Sequence, residues 1–543
     1  MRRLITPLVV FQAATLVWFV LLMTSPRACA QTSSVERTSS EAVHFDSSSK
    51  PLRDVSPRFV ITKGVKRVKV ARSLPIPTRN SNAPLRKPLL QTAASFDIDV
   101  DISNYEGLGE GKDIGGGAKY DDPASPSDAN ASVGRTQYVE WVNNAFGIFD
   151  KATGKLILAA QGNVIWSGFG GRCETNNDGD PIVQYDKLAN RWVMSQFVEK
   201  GGKPFLQCIA VSQTDDAGGL YNRYSFEFKE FNDYGKLGVW PDGYYASFNM
   251  FQDESDDAPA TGGKACAFER RKMLIGQQAK MVCFDLREPM QMGLLPSDFD
   301  GTMIPPSGTP NYFINWGLDQ LNAWAFQVNW DNPNTSSFKA LEAIKVDSFD
   351  PACGNERKCI PQKDSPSLLQ SLGDRMMYRL AYRNMGAHQV LLVNHSVQGS
   401  DLTPSAIRWY ELRVAGDKIA LFQHGTYAPD GAARWMGSIA MDRNGDILLG
   451  YNFSGLGTSP SFKFHPSIAI TGRRPGDPQG LAKEIVVVAG LGNQSSERWG
   501  DYSSIALDPA DDCTFWLTSQ YQSQTGIYVW RTNVSRVKFK GCQ

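Results

Sequence analysis

The chain predicts an all-β fold, a seven-bladed β-propeller, on three observations. The phrase Arg434-Trp435-Met436-Gly437-Ser438-Ile439-Ala440-Met441-Asp442 returns as Arg498-Trp499-Gly500-Asp501-Tyr502-Ser503-Ser504-Ile505-Ala506-Leu507-Asp508. Looser echoes stand upstream at about 60-residue intervals, a blade-sized period. Between them lie only aromatic and β-branched runs broken by Asp, Gly and Pro, which are strand and hairpin signals. Residues 96–543 also run without a linker-like break, longer than one compact core carries. A ring resolves this, because each blade buries its faces against its neighbours.

The openings read in order. Blade 1 opens at Tyr138-Val139-Glu140-Trp141-Val142, and blade 2 at Asp180-Pro181-Ile182-Val183-Gln184-Tyr185. Blade 3 opens at Trp240-Pro241-Asp242-Gly243-Tyr244, blade 4 at Asn311-Tyr312-Phe313-Ile314, and blade 5 at Asp374-Arg375-Met376-Met377-Tyr378-Arg379. Blades 6 and 7 open on the duplicated phrase. The alternative is six blades with the first segment acting as a cap. Extra length is expected in loops such as 252–264 and 355–371.

Residues 1–30 read as a signal peptide: Arg2 and Arg3, an apolar run from Leu8 to Met23, Pro26, then the small-residue site Ala28-Cys29-Ala30. Residues 31–95 are rich in Ser, Pro, Lys and Arg and read as a disordered linker or pro-segment, with Val60-Ile61-Thr62 and Val68-Lys69-Val70 as candidate strand pieces. The mature chain holds no apolar run long enough to span a bilayer, so a secreted, extracellular or periplasmic monomer is expected.

Beyond Cys29, eight cysteines remain: Cys173, Cys208, Cys266, Cys283, Cys353, Cys359, Cys513 and Cys542. An even count in an exported chain points to four disulfides, and pairing between sequence neighbours is the simplest of the arrangements the count permits. Thiol-bound metal fits poorly, since the chain lacks Cys-x-x-Cys and has only five histidines. Lys plus Arg balance Asp plus Glu at 56 each, which argues against a nucleic-acid binder. Six Asn-x-Ser/Thr sequons stand at Asn130, Asn334, Asn394, Asn452, Asn493 and Asn533.

Three passages resemble a family of exported bacterial β-propeller proteins of the sialidase-like, seven-bladed type, to which no activity is assigned. They are Gly168 to Pro181, Ser371 to Arg379, and Arg498 to Ser503. The resemblance spans essentially everything after residue 96 and implies a propeller. It carries no residue-level mechanism.

In a propeller the innermost strands start around one end of the central channel, so residues just before each opening converge there. Asp180, Asp242, Asn311, Asp374, Arg434, Arg498 and Asp501 form that set, with Arg379, Trp435 and Trp499 nearby. Acids, arginines and aromatic rings in one place suit a glycan or cell-surface polymer. Asp180, Asp242 and Asp501 are the candidate catalytic carboxylates if the mouth runs glycoside hydrolysis or a lyase reaction. A protein–protein scaffold is the third function class. Against all three stands a structural reading, in which strand-start polar residues satisfy turn amides and Arg-Trp is a packed cation–π pair.

A sialidase would draw its arginines from Arg375, Arg379, Arg434 and Arg498, but Ser-x-Asp-x-Gly-x-x-Trp turns are missing. Gly-x-Ser-x-Gly is also missing, and His388, His395, His424 and His465 are scattered. No cofactor is expected. Asn176-Asn177-Asp178-Gly179-Asp180 and Asp442-Arg443-Asn444-Gly445-Asp446 alternate oxygen ligands as calcium loops do, yet neither reaches a Glu at the twelfth position, and hairpin turns explain them as well.

Overall fold

A computed structural model describes residues 35–55, 67–69, 71–77, 90–92, 95–115, 118–121, 124–399, 403–455 and 464–543. The signal-peptide segment 1–30 and the candidate strand Val60-Ile61-Thr62 lie outside these residues.

Among the described residues, seven antiparallel units follow one another along the chain, the fourth and fifth joined into one ten-stranded sheet by a parallel pairing of their first strands. Their innermost strands are Asn130–Val133, Ile182–Asp186, Phe231–Val239, Leu295–Asp300, Met377–Asn384, Ala433–Met441 and Ser504–Leu507. Each lies against the next, and the seventh lies against the first, so the ring closes. Blade 7 is completed from the other end of the chain. Val100–Gly109 pairs antiparallel with Trp530–Phe539, from Val100 opposite Phe539 to Gly109 opposite Arg531. This β-propeller therefore holds its ends together by backbone hydrogen bonds.

Four of the seven openings fall where the sequence placed them. The other three, at Tyr138, Trp240 and Asn311, were placed one strand too late. In blades 1, 3 and 4 the aromatic run is the second strand, and the innermost strand is more polar. The reason is chemical. Except in blades 4 and 5, whose innermost strands pair with each other in parallel from Ser297 opposite Leu380 to Asp300 opposite Arg383, an innermost strand has one edge without a sheet partner, and side chains of the neighbouring blade satisfy amides there. Asn130 Oδ1 accepts from the Val183 amide at 2.6 Å and Ser132 Oγ from the Tyr185 amide at 3.1 Å. Asp298, Ser438 and Ser504 serve Val239, Ile505 and Ala131 in the same way at 2.9–3.0 Å. Small polar residues at these positions weaken the hydrophobic signal of the strand while building the seam between blades.

Part of the supposedly disordered segment 31–95 is structured. Glu36–Glu41 adds to the outer edge of blade 3 against Lys280–Leu286, and His44–Ser47 adds to blade 2 against Tyr221–Phe228. Glu36–Glu41 is exposed at every position, so no periodic burial marks it in the sequence. Backbone pairing to an open sheet edge holds it instead. Arg67–Val68 runs parallel to Ala124–Ser125, placing Lys69 at the ring.

The disulfides pair sequence neighbours: Cys173–Cys208, Cys266–Cys283, Cys353–Cys359 and Cys513–Cys542. Cys266 and Cys283 sit directly opposite on adjacent strands of blade 3. The extra length at 355–371 is a hairpin, Lys358–Gln362 with Ser365–Gln370, rather than open loop. Between blades, packing is largely aromatic; Tyr138 stacks on Trp516 across the 1–7 seam at 5.1 Å. No described helix is long and apolar enough to cross a membrane.

Candidate functional site

Several innermost strands carry a left-handed residue, just before the strand at Asp128 (φ 47°) and Asp180 (φ 47°), and at a bulge inside it at Tyr234 (φ 54°) and Met436 (φ 53°). Asp tolerates this conformation; for Tyr and Met it is a strained setting that the surrounding ring enforces. Two of these residues, Asp180 and Tyr234, come together at the end where the innermost strands begin. Asp180, Asp233, Tyr234, Arg375, Arg498 and Asp501 line one small pocket there, together with Lys69, Arg72 and Phe197. About 40 Å³ of space remains inside it.

The pocket is a lattice of opposed charges. Arg498 donates to Asp501 at 2.5 Å and to Gln370 at 2.9 Å. Arg375 is held by Asp374 at 2.8 Å and lies 4.5 Å from the Tyr234 ring centre. Lys236, fully buried, sits between Tyr234 and Tyr502, at 3.4 and 4.1 Å from their ring centres. Tyr234 donates to the Asp501 carbonyl at 3.3 Å, and Tyr502 to the Pro181 carbonyl at 3.2 Å. Asn143 donates to Asp128 at 2.8 Å, and the other Asp128 oxygen is buried without a hydrogen-bond partner.

These surroundings displace several acidities. Burial, reinforced by Asp180 and opposed by Arg72 and Arg375, pushes the Asp233 carboxyl up to about 6. Burial and the neighbouring Asp501 raise Asp128 well above the ordinary carboxylate value, against the pull of Lys69. Burial lowers the Lys236 ammonium to about 8 even though Asp180 and Asp501 favour its charge. Burial also opposes ionisation of Asp374, but Arg375 and Arg357 outweigh it and hold that carboxyl below its usual value. Titratable groups displaced in opposite directions around one pocket mark a candidate site.

Of the residues picked from sequence, the pocket contains Asp180, Arg498 and Asp501, with Asp374 behind it as the partner of Arg375. The others lie elsewhere. Arg434 is fully buried and held by Glu484 (2.7 and 2.9 Å) and Asp430 (2.8 Å). Trp435 and Trp499 are also fully buried, with ring centres 5.7 Å apart, so neither ring is open for stacking on a sugar. Arg379 sits further along the innermost strands, buried and bound to Asp298 (2.9 Å), Asp300 and the Ile505 carbonyl (3.1 Å), beside the buried contact of Gln184 with Tyr378. Asp242 lies on the turn after the innermost strand of blade 3 and accepts from Tyr245 at 3.1 Å. Asn311 holds Ser297 of its own blade. The last two were misplaced because their blade openings were read one strand late.

Sequence reasoning missed Asp233 and Tyr234 as pocket residues, along with Lys69 and Arg72 from the N-terminal segment, and the buried Asp128, Lys236 and Tyr502 packed beside them; Arg375 it offered only as a sialidase arginine. Lys236 and Tyr234 lie in the polar strand Phe231–Val239, whose composition hid it. The carboxylates of the calcium-like loops are taken up by backbone amides, local ones at Asp442 and those of a neighbouring segment at Asp178. Asp442 Oδ1 accepts the Asn444 and Asp446 amides, and Asp178 Oδ2 accepts those of Glu199 and Lys200. Among the described residues, no group of three or more His, Cys, Asp or Glu side chains is arranged to hold a metal ion. A second concavity of about 760 Å³ opens on the outer side of blades 1 and 2, beside Asp54, Glu174 and Arg223, away from the axial charges.

Fold and site together define a propeller with a charged pocket on its axis. No family model and no curated protein matches the chain. Among solved structures it is similar to a Trypanosoma rangeli sialidase, at 10% identity over 66% of this chain and 54% of that one, with a TM-score of 0.31. It is also similar to an endo-arabinase from Bacteroides thetaiotaomicron (14%, covering 53% and 92%, TM-score 0.26) and to Kluyveromyces lactis Hsv2 (9%, covering 75% and 98%, TM-score 0.29). The chain matches about half of the sialidase's length. Likenesses this loose bear on no ligand or activity.

Proposed function

We propose that this chain is an exported β-propeller that binds an extracellular glycan or cell-surface polymer at the mouth where its innermost strands begin. The observation that supports this is the convergence of Asp180, Asp233 and Asp501 with Arg72, Arg375 and Arg498 around one axial pocket. Alternating carboxylate acceptors and guanidinium donors suit the hydroxyl groups of a sugar, and Phe197 and Tyr234 supply apolar walls. Four disulfides support export.

One observation favours a second reading, glycoside hydrolysis. A carboxyl held near 6, as at Asp233, stays partly protonated near neutral pH and suits a general acid, with Asp180 or Asp501 as the second carboxylate. A polysaccharide panel scored for both binding and reducing-end release tests the two together. Binding lost in Asp180→Asn without release in any arm supports the binder. Release abolished by Asp233→Asn replaces it with the hydrolase. Neither binding nor release overturns both and leaves a protein–protein scaffold.

A further inference from the structure

The axial pocket already holds a group that behaves as a ligand, and the chain itself supplies it. Residues 67–69 and 71–77 cross the mouth, and Lys69 reaches inward from them. Its ammonium donates to the Asp178 carbonyl at 2.7 Å and stands 3.7 Å from Asp180. The backbone opposite is shaped around it. Gly179 has φ 101°, and a Cβ there would collide with Lys69 Nζ and press on Asn143 Oδ1. That Asn143 oxygen and one oxygen of Asp128 are buried and have no hydrogen-bond partner of their own. Burial alone would lower the Lys69 pKa, but Asp180, Asp128, Glu199 and Asp501 overcome it and keep the ammonium charged.

The segment is clamped at further points. Arg72 packs over the Phe231 ring at 4.5 Å, and its carbonyl accepts from Arg375 at 2.8 Å. Leu74 is buried, its amide donating to Asp374 at 3.0 Å and its carbonyl accepting from Arg357 at 2.9 Å. Arg375 and Asp374 thus hold both the pocket wall and the strap across it. Any ligand entering here competes with the segment, and its apparent affinity falls by the fraction of time the mouth is filled.

We propose that the pocket is a subsite for a primary ammonium, filled in cis by Lys69, and that its ligand is an amino sugar, a glycan carrying free 2-amino groups, whose amine takes the place of Lys69 when the segment is displaced. The ammonium part rests on Lys69 and the oxygens around it; the sugar part rests on the glycan reading above. On a hexosamine the amine sits directly on the ring, whereas Lys69 reaches in on a four-carbon stem. The sugar ring therefore needs the space of the segment itself, which makes Leu74 as well as Lys69 a determinant of affinity.

Two measurements on the full chain separate the parts. First, n-butylammonium is added to Lys69→Ala and to the unchanged protein and the melting temperature is followed; Lys69→Gln serves if the alanine variant does not fold. A rise confined to the variant is expected, and its absence overturns the ammonium subsite. Second, glucosamine pentamer, its N-acetylated counterpart, cellopentaose and a lysine-containing pentapeptide are titrated into the unchanged protein, Lys69→Ala and Leu74→Ala. A gain of about tenfold or more in either variant for the glucosamine pentamer alone is expected. Equal gains for all three sugars keep the glycan reading and overturn amine recognition. Butylammonium rescue with no sugar bound, or with a gain for the peptide alone, overturns the amino sugar and the glycan reading together.

Discussion

Lys236, on the innermost strand of blade 3, lies 4.1 Å from the ring centre of Tyr502, which leads into blade 7. The two blades are not neighbours, so this cation–π contact ties the ring across its axis. The desolvated ammonium has a folded pKa of about 8, below its ordinary 10.5. The sign follows from proton binding: between these values the unfolded chain holds more protons than the folded one. The penalty is present in full below pH 8 and fades as pH rises. Melting temperature is therefore expected to rise between pH 8 and 10, over a window worth about 3 kcal/mol at most. Lys236→Met should abolish the rise, and an unchanged profile in that variant refutes the assignment.

Asp233 gives the opposite limb. Its folded pKa of about 6 exceeds the ordinary 3.8, so the folded protein binds the proton more tightly, and stability falls as pH rises from about 4 to 6. Asp128 is raised as well and adds to the same fall. Asp233→Asn should melt higher than the unchanged protein at pH 7, by the equivalent of about 3 kcal/mol or less, and the two should converge near pH 4. Thermal melts across that range check both ends.

The inter-blade seams make a stability prediction of their own. Ser438 is buried and accepts the Ile505 amide at 2.9 Å. Ser438→Ala leaves that amide unpaired in a place water does not reach, at a cost of about 1–3 kcal/mol. Ser504→Ala, which removes the partner of the Ala131 amide, should behave alike at the next seam. Denaturant unfolding measures both. A loss below about 0.5 kcal/mol in each would mean that these side chains do not hold the ring.

How much of this was legible beforehand follows from where hydrophobicity resides. Second strands such as Tyr244–Phe251 are buried at every position and announce themselves as aromatic runs. First strands such as Phe231–Val239 carry Asn232, Asp233 and Lys236, because they face the axis and a neighbour's amides, and they read as turns. The fold was recoverable because each blade has at least one loud strand. The site was recoverable only where a first strand followed a recognisable signature, as at Asp180 and at Arg498 with Asp501. Lys69 and Arg72 carried no site signature; Val68-Lys69-Val70 stood out only as a strand piece. They belong to the pocket through tertiary contact between a basic, aperiodic segment and a ring that starts some 60 residues later.

The same polar strands change the meaning of the sequons. Asn130, Asn394, Asn452 and Asn533 are buried; Asn130 and Asn452 serve as structural hydrogen-bonding groups, and Asn493 is half-buried and bonded to Lys363 and His465. Asn334 alone is exposed. Secretion from a glycosylating host should add a glycan at Asn334 and none at the four buried positions. Intact-mass analysis of Asn334→Gln checks this, since residual glycan at Asn130 or Asn452 would mean those strands are open when modified.

Cys513 and Cys542 bracket the last two strands of the chain, Thr514–Gln522 and Trp530–Phe539. The second of these carries Val100–Gly109, the strand that closes the ring. A bond spanning 29 residues restricts the unfolded chain by about 3–4 kcal/mol in the loop-entropy picture. Cys266–Cys283 links adjacent strands within blade 3, spans 17 residues and closes nothing beyond that blade. Paired serine replacements of the two bridges should therefore differ in kind as well as size. Losing Cys513–Cys542 should lower global stability by about 3 kcal/mol and also speed amide exchange along 100–109. Losing Cys266–Cys283 should leave exchange in the closing strand unchanged. Hydrogen exchange on the two variants decides it, and equal protection of 100–109 in both would show that backbone pairing alone keeps the ring shut.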